Sequence, residues 1–383
     1  MMPETPWLLT PGPLTTSLSV KQAMLRDWGS RDGAFIAMNQ RIRERLLGLA
    51  GAAAGSGEDY VCVPVQGSGT FAIEATIGTL VPRGGKLLVL VNGAYGERMR
   101  RIAEMMGRAT RTIETAEDVP VSPGSLDRAL GEDADVTHVA VVHCETTSGI
   151  LNPVEAVAEV CAAHGRPLIV DAMSAFGALP IDARRLRFEA VVASSNKCLE
   201  GVPGVGFAIV RREALERAKG NSASLSLDLE DQWRGLERNG QWRFTPPTHV
   251  LAALDQALDE HVAEGGVAGR GARYRRNHQI LVDGMLAMGF ETLVARELQA
   301  PIIVTFRMPA GPAFVFEAFY DRLREKGFVI YPGKLTVAPS FRIGCIGRLG
   351  EAEMLGALGA VRETMAEMGV ASGAPLVPAE AVP

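Results

Sequence analysis

VTHVAVVH at residues 136–143, RPLIV at 166–170, EAVVA at 189–193 and GFAIV at 206–210 are short apolar runs rich in β-branched residues, and a helical pattern at 154–164 separates the first two. Strands that stay apolar along their whole length are buried on both faces, and helices between them make the crossovers of a mostly parallel sheet. Working toward the N-terminus, KLLVLV at 86–91 precedes a helical pattern at 93–106, and YVCVPV at 60–65 precedes a glycine-rich turn and a helical pattern at 70–80. Toward the C-terminus the pattern changes after Pro246-Pro247: long helices are expected at 250–263 and 272–288, then short strands at 302–307, 328–331 and 341–346 with helices at 314–326 and 351–368. The expected architecture is α/β, a large domain with a mostly parallel sheet flanked by helices plus a smaller C-terminal α/β domain. The boundaries read as an arm at 1–20, the large domain at 21–265, the small domain at 266–370 and a flexible Pro/Ala-rich tail at 371–383.

The formal net charge of −5 over 383 residues leaves no broad basic surface for nucleic acid, and an aromatic content of 6% leaves no base-stacking platform. Five cysteines, Cys62, Cys144, Cys161, Cys198 and Cys345, are scattered with no C-x-x-C pair, which speaks against a disulfide framework and for a reducing compartment. No basic, then apolar leader opens the chain, and no apolar run approaches the ~20 residues of a membrane span, so the expected location is cytoplasmic.

In such a sheet, ligand sites form at the carboxyl ends of the strands, and three groups of residues fall there. Gly67-Ser68-Gly69-Thr70 lies between a strand and a helix, where small residues and first-turn amides can cradle an anion. The spacing Gly67-x-Gly69-x-x-Ala72 also fits a dinucleotide fingerprint, but the next strand ends in Asn92-Gly93-Ala94-Tyr95 without the required acidic residue. Asp171 follows the strand RPLIV, where a poorly solvated carboxylate needs a cationic partner. Lys197 stands in SSNKC (194–198) among small residues, where burial disfavours the ammonium and a neutral amine can form an imine. Alone, each has a plainer reading: a βα turn, a helix cap, a solvated lysine. Together they supply the phosphate binder, pyridinium partner and Schiff-base lysine of a pyridoxal phosphate site.

With those residues in place, the chain resembles the class V aminotransferases of the fold-type I pyridoxal phosphate superfamily. The stretches that carry the resemblance are LLTPGPLTTSLSVKQAMLRDWGSRD (8–32), VQGSGTFAIEA (65–75), VNGAYGERM (91–99), HCETTSGILNP (143–153), IVDAMSAFGALP (169–180), SSNKCLEGVPGVGF (194–207), QWRFTPPTHV (241–250) and FRIGCIG (341–347). Two of them, SNKCLEGVPGVGF and QWRFTPPTH, resemble the phosphonate branch in particular. The resemblance implies that Lys197 forms the Schiff base and that Asp171 keeps the pyridine nitrogen protonated. It implies Tyr95 on the ring face, Ser68, Gly69 and Thr70 at the phosphate, Thr146 near the ring oxygen, and Asn196 beside the lysine. Trp242 and Thr245 match a segment that family dimers donate to the partner's cofactor site. Arg342 matches the arginine that grips the acidic end of the substrate, with Gly12 also at the substrate.

The implied activity is a ping-pong transfer of the amino group from 2-aminoethylphosphonate to pyruvate by a homodimer, giving phosphonoacetaldehyde and L-alanine. The competing reading is an alanine– or serine–glyoxylate type of class V enzyme. Arg342 fits either on physical grounds, because a guanidinium makes two parallel hydrogen bonds to a carboxylate or a phosphonate. A cysteine desulfurase would need a mobile thiol, for which Cys345 in FRIGCIG is the candidate. A non-catalytic cofactor sensor would need a fused basic module, which is absent before residue 30. The histidines lack ligand spacing, so no metal is expected. His143 and His249 read as supporting hydrogen-bonding groups, Cys198 as a small buried side chain, and RYRR at 273–276 as a solvated helix face.

Overall fold

A computed structural model describes residues 5–53, 59–333 and 338–375. Its main elements in chain order are α1 (Gly33–Leu49), β1 (Tyr60–Gly67), α2 (Gly69–Leu80), β2 (Lys86–Val91), α3 (Ala94–Met105), β3 (Ala109–Glu114), α4 (Pro123–Glu132), β4 (Val136–Val142), α5 (Val154–Ala163), β5 (Leu168–Asp171), β6 (Ala190–Ser194) and β7 (Gly204–Arg211). They continue with α6 (Leu229–Asn239), α7 (Thr248–Ala263), α8 (Gly266–Ala287), β8 (Ile303–Arg307), α9 (Phe316–Glu325), β9 (Tyr331–Pro332), β10 (Ser340–Gly344) and α10 (Glu351–Glu367).

Seven strands form one sheet in the order β1-β7-β6-β5-β4-β2-β3. Only β7 runs against its neighbours, β1 and β6; the other four pairs are parallel. Alternate residues of the same strands feed two separate cores. Leu88, Leu90, Val139, Val141, Val170 and Val191 pack with Phe35, Met38 and Ile42 of α1. Leu87, Val89, Ala140, Val142, Ile169 and Val192 pack with Ile73 and Ile77 of α2 and Met99 of α3. At roughly 1.5–3 kcal/mol for each fully buried aliphatic side chain, two cores on one sheet make a stiff platform. That is the physical origin of the unbroken apolar runs.

A second sheet, β8-β10-β9, is antiparallel and buries Val304, Phe306, Phe341 and Ile343 against Leu281 of α8, Phe319 of α9 and Met354 of α10. The N-terminal segment reaches this core. Trp7 and Leu9 donate backbone hydrogen bonds to Gly327 and Val329, and the Gly344 amide donates back to Leu9 at 2.9 Å.

The expected helix at 272–288 begins six residues earlier, at Gly266. Its first turns are held by Arg270, which is 1% exposed and donates to Glu264 and to the Cys198 carbonyl, both at 2.6 Å. RYRR is correspondingly only half a solvated face: Arg275 and Arg276 are exposed, whereas Arg273 and Tyr274 turn inward. Arg273 donates to Glu200 and Glu264 at 2.7 Å, and Tyr274 is fully buried with its hydroxyl 2.6 Å from Glu200. Buried countercharges on other segments draw these side chains inward. The tail expected at 371–383 lies largely outside the described residues, which end at 375.

Candidate active site

Because β1 and β6 both run against β7, their carboxyl ends lie on the same edge as those of β5, β4 and β2. A cavity of about 170 Å³ opens there, and each of these strands delivers a polar residue to it: Ser68 after β1, Tyr95 after β2, Thr146 after β4, Asp171 at the end of β5, and Asn196 with Lys197 after β6. Gly69 and Thr70 complete one wall. Ser68 takes the cap position of α2 without a side-chain hydrogen bond to the helix, so the first-turn amides of α2 carry no side-chain cap.

Asp171 is 4% exposed and accepts from the Met173 amide at 3.0 Å. Burial pushes its carboxyl up to about 7, against the opposing pull of that amide and of Arg98 and Lys197. Among the described residues it has no ion-pair partner within salt-bridge distance. Lys197 is half-buried, and desolvation of its amine lowers it to about 8. Its Nζ donates to the Pro11 carbonyl at 2.5 Å. Gly12, next in the chain, has φ +117°, and a Cβ there would stand 2.8 Å from Lys197 Nζ. A side chain at residue 12 would therefore be strained in its backbone and would invade the amine's space.

The structure also brings to the cavity residues that strand-end reasoning did not mark: Arg98, Met173, Ser174 and Ser194. Arg98 was legible, since it follows Tyr95 by three positions on a helix and shares its face. Its guanidinium lies 4.7 Å from the centre of the Tyr95 ring and donates to the Thr70 hydroxyl at 3.2 Å.

Arg342, on β10, stands just outside the cavity lining. It donates to the Thr146 carbonyl at 2.7 Å and to Pro332 at 2.9 Å, and its Cζ is 4.8 Å from the Tyr331 ring centre. Trp242 and Thr245 are not brought to this cavity within the chain. Trp242 donates to Asn39 at 3.0 Å and lines a different hollow with Phe71 and Phe244, and Thr245 is exposed.

His143 is buried, and burial pushes its imidazole down to about 4, so it stays neutral. His249 pairs with Asp27 at the surface. All five cysteines are buried and unpaired. Cys198 donates to the Ser174 carbonyl at 3.2 Å. Cys345 is fully buried directly after β10, with its amide bonded to Ile302 and its thiol pushed up by burial. That arrangement is unsuited to a mobile nucleophile. Among the described residues no cluster of His, Cys, Asp or Glu could hold a metal ion, and no helix is long and apolar enough to cross a membrane.

The donor set has a definite chemistry. An uncapped helix start with two hydroxyls suits a phosphate dianion. A buried carboxylate without a cation suits a pyridinium N–H. A half-buried amine with a lowered pKa suits a carbonyl. These residues fit pyridoxal phosphate.

Residues 50–347 match the family model Aminotransferase class-V. The chain is 56% identical over 365 residues to 2-aminoethylphosphonate–pyruvate transaminase 2 of Burkholderia lata, covering 95% of this chain and 96% of that one. It is 53% identical over 369 residues to 2-aminoethylphosphonate–pyruvate transaminase of Pseudomonas putida, covering 96% and 99%. Among solved structures, pyridoxamine–pyruvate aminotransferase from Mesorhizobium loti superposes with a TM-score of 0.88 at 25% identity, over 97% of this chain and 96% of that one. Alanine–glyoxylate aminotransferase from a Nostoc species superposes with a TM-score of 0.87 at 27% identity, over 95% and 96%. With the fold, the cavity and these likenesses in agreement, the chain belongs to the class-V aminotransferase family.

Proposed function

We infer that this chain transfers the amino group of 2-aminoethylphosphonate to pyruvate, releasing phosphonoacetaldehyde and L-alanine, with pyridoxal 5′-phosphate as cofactor. The observation that carries the chemistry is the shared cavity: a half-buried amine and a buried carboxylate stand at adjacent strand ends beside an uncapped helix start. The choice of substrates is supported by the names of the relatives at 53–56% identity. When bound, the cofactor supplies a carbonyl for imine exchange and a ring that draws electrons from the donor's amine-bearing carbon.

The residues of the chain then divide the work. Ser68, Gly69 and Thr70 hold the phosphate, with Asn196 beside it. Asp171 holds a proton on the ring nitrogen. Tyr95 covers the ring face, and Thr146 donates toward the ring oxygen. Lys197 Nζ takes the proton from the amine-bearing carbon of 2-aminoethylphosphonate, and in the second half-reaction it delivers a proton to C2 of what was pyruvate. Its lowered pKa keeps a substantial fraction neutral near physiological pH, as a base requires. Arg342 binds the phosphonate of the donor and the carboxylate of pyruvate in turn, aided by the backbone at Gly12.

Thr245 and Trp242, which do not line their own chain's cavity, complete the phosphate site of a second copy in a homodimer. The reaction belongs in the cytoplasm, where the five unpaired cysteines stay reduced.

The test is a donor half-reaction on the cofactor-loaded protein without any keto acid. Added 2-aminoethylphosphonate is expected to convert the bound cofactor to its pyridoxamine form, L-serine is expected not to, and pyruvate is expected to reverse the change. Conversion by L-serine alone would move the chain to the glyoxylate type.

A further inference from the structure

The helix that carries Tyr95 has no cap of its own. Its N-cap residue is Gly93, which has no side chain to offer, and the first four amides of a helix need acceptors from somewhere. They find them on another segment. The Ala94 amide donates to the Thr147 hydroxyl at 3.0 Å. The Tyr95 and Gly96 amides donate to Glu145 Oε2 at 3.1 and 3.3 Å. The other oxygen, Oε1, accepts from the Thr147 amide at 3.1 Å and from its hydroxyl at 2.5 Å. Every partner of Glu145 is a donor and its carboxyl faces the positive end of a twelve-residue helix, which favours the charged, acceptor-only form against the burial that raises its pKa above the usual carboxylate range.

Glu145 is fully buried and does not line the cavity. Its approach requires glycine at residue 93, because a Cβ there would stand 2.4 Å from Glu145 Cγ. The stretches NGAYG (92–96) and ETT (145–147) are thus two halves of one joint. The same three-residue turn carries Thr146, which lines the cavity and whose carbonyl accepts from Arg342 at 2.7 Å.

We propose that Glu145 is a positioning residue of the active site: by capping α3 from outside the helix it fixes the Tyr95 ring against the cofactor and ties that ring to the turn that holds Arg342. A capping carboxylate serving the helix alone could sit at any angle to the cavity. This one sets the first turn, where Tyr95 sits one residue into the helix. The proposal rests on the reading of Tyr95 as the residue covering the cofactor ring.

The test uses the affinity of the cofactor-free protein for pyridoxal phosphate and the visible circular dichroism of the bound group. Glu145→Gln keeps the shape but replaces one acceptor with an NH₂ that faces donors. It is expected to weaken pyridoxal phosphate binding about tenfold, as one mispaired hydrogen bond would, and to change its dichroism. Thr147→Val, nearly isosteric, is expected to act in the same direction with a smaller effect. Tyr95→Ala combined with Glu145→Gln is expected to lose less affinity than the product of the two single losses, because the two share one ring. If Glu145→Gln does not fold, Thr147→Val takes its place in that cycle. Binding and dichroism equal to the parent protein, or losses that multiply in the double variant, overturn the proposal. A parent protein that takes up no pyridoxal phosphate overturns the functional reading and this one with it, whereas uptake by the parent and an unaltered variant overturns this one alone.

Discussion

Lys197 and Pro11 are 186 residues apart in the chain, yet the lysine Nζ donates to the proline carbonyl at 2.5 Å. The N-terminal segment therefore forms part of the wall around the amine, and Gly12 sits against the side chain with a backbone conformation that favours glycine.

Gly12→Ala follows directly. The new Cβ must displace the lysine side chain or strain the segment, so the variant is expected to fold but to bind pyridoxal phosphate about tenfold more weakly, toward the lower end of the ~1–3 kcal/mol that overpacking costs. Cofactor titration with a parallel thermal melt of the cofactor-free protein checks it. A wild-type affinity would show that the segment yields easily.

Asp171 makes the cofactor-free protein sensitive to pH. Its carboxyl is raised from 3.8 to about 7 in the folded state, so between those values the folded state binds more protons than the unfolded chain. Stability from this group is whole below about pH 4 and is lost as pH rises through about 7. The shift corresponds to at most about 4 kcal/mol at ~1.4 kcal/mol per unit. Urea midpoints of the cofactor-free protein from pH 4 to 8 are expected to fall more steeply for the parent than for Asp171→Asn. The same variant is expected to lose most transaminase activity, since an amide cannot hold the ring nitrogen protonated.

Arg342→Lys keeps the charge and removes the fork. Losing one charge-assisted hydrogen bond costs about 1.5–3 kcal/mol, or roughly ten- to hundredfold. If one guanidinium serves both substrates as proposed, steady-state kinetics are expected to show KM rising for 2-aminoethylphosphonate and for pyruvate together. A rise for only one substrate would give the other a different binding group.

Thr245 is tested by mixing subunits. Lys197→Ala and Thr245→Ala proteins are each expected to be impaired, the first by at least about a hundredfold through loss of its base. Mixed dimers then contain one site with an intact lysine from one chain and an intact threonine from the other. Dissociation and remixing is expected to restore activity to that site. Absence of recovery, with mixed dimers demonstrated, would place Thr245 in its own chain's site or in none.

The unbroken apolar runs made the buried strands legible: LLVL, VAVV and LIV feed side chains to two cores at once, so both faces must be apolar. The edge strand Ala109–Glu114 (ATRTIE) escaped for the converse reason, because its side chains are only partly buried and alternate with polar ones. Asp171 and Lys197 were legible as the residues a strand end cannot easily solvate. Arg98 was within reach, as a neighbour of Tyr95 on one helix face. Glu145 was not: a glutamate in ETT gives no sign that it caps a helix beginning fifty residues earlier.

The sequence alone, then, determined the sheet and the chemical types at its edge, since burial periodicity and unsolvated charge are local properties of a chain. The tertiary structure alone decided which of those residues share a cavity, why Arg273 and Tyr274 turn inward to Glu200 and Glu264, and how Pro11, Glu145 and Arg342 make contacts there from distant segments. Hydrogen bonds between residues far apart in the chain form only after the layers have packed, and no local pattern encodes them.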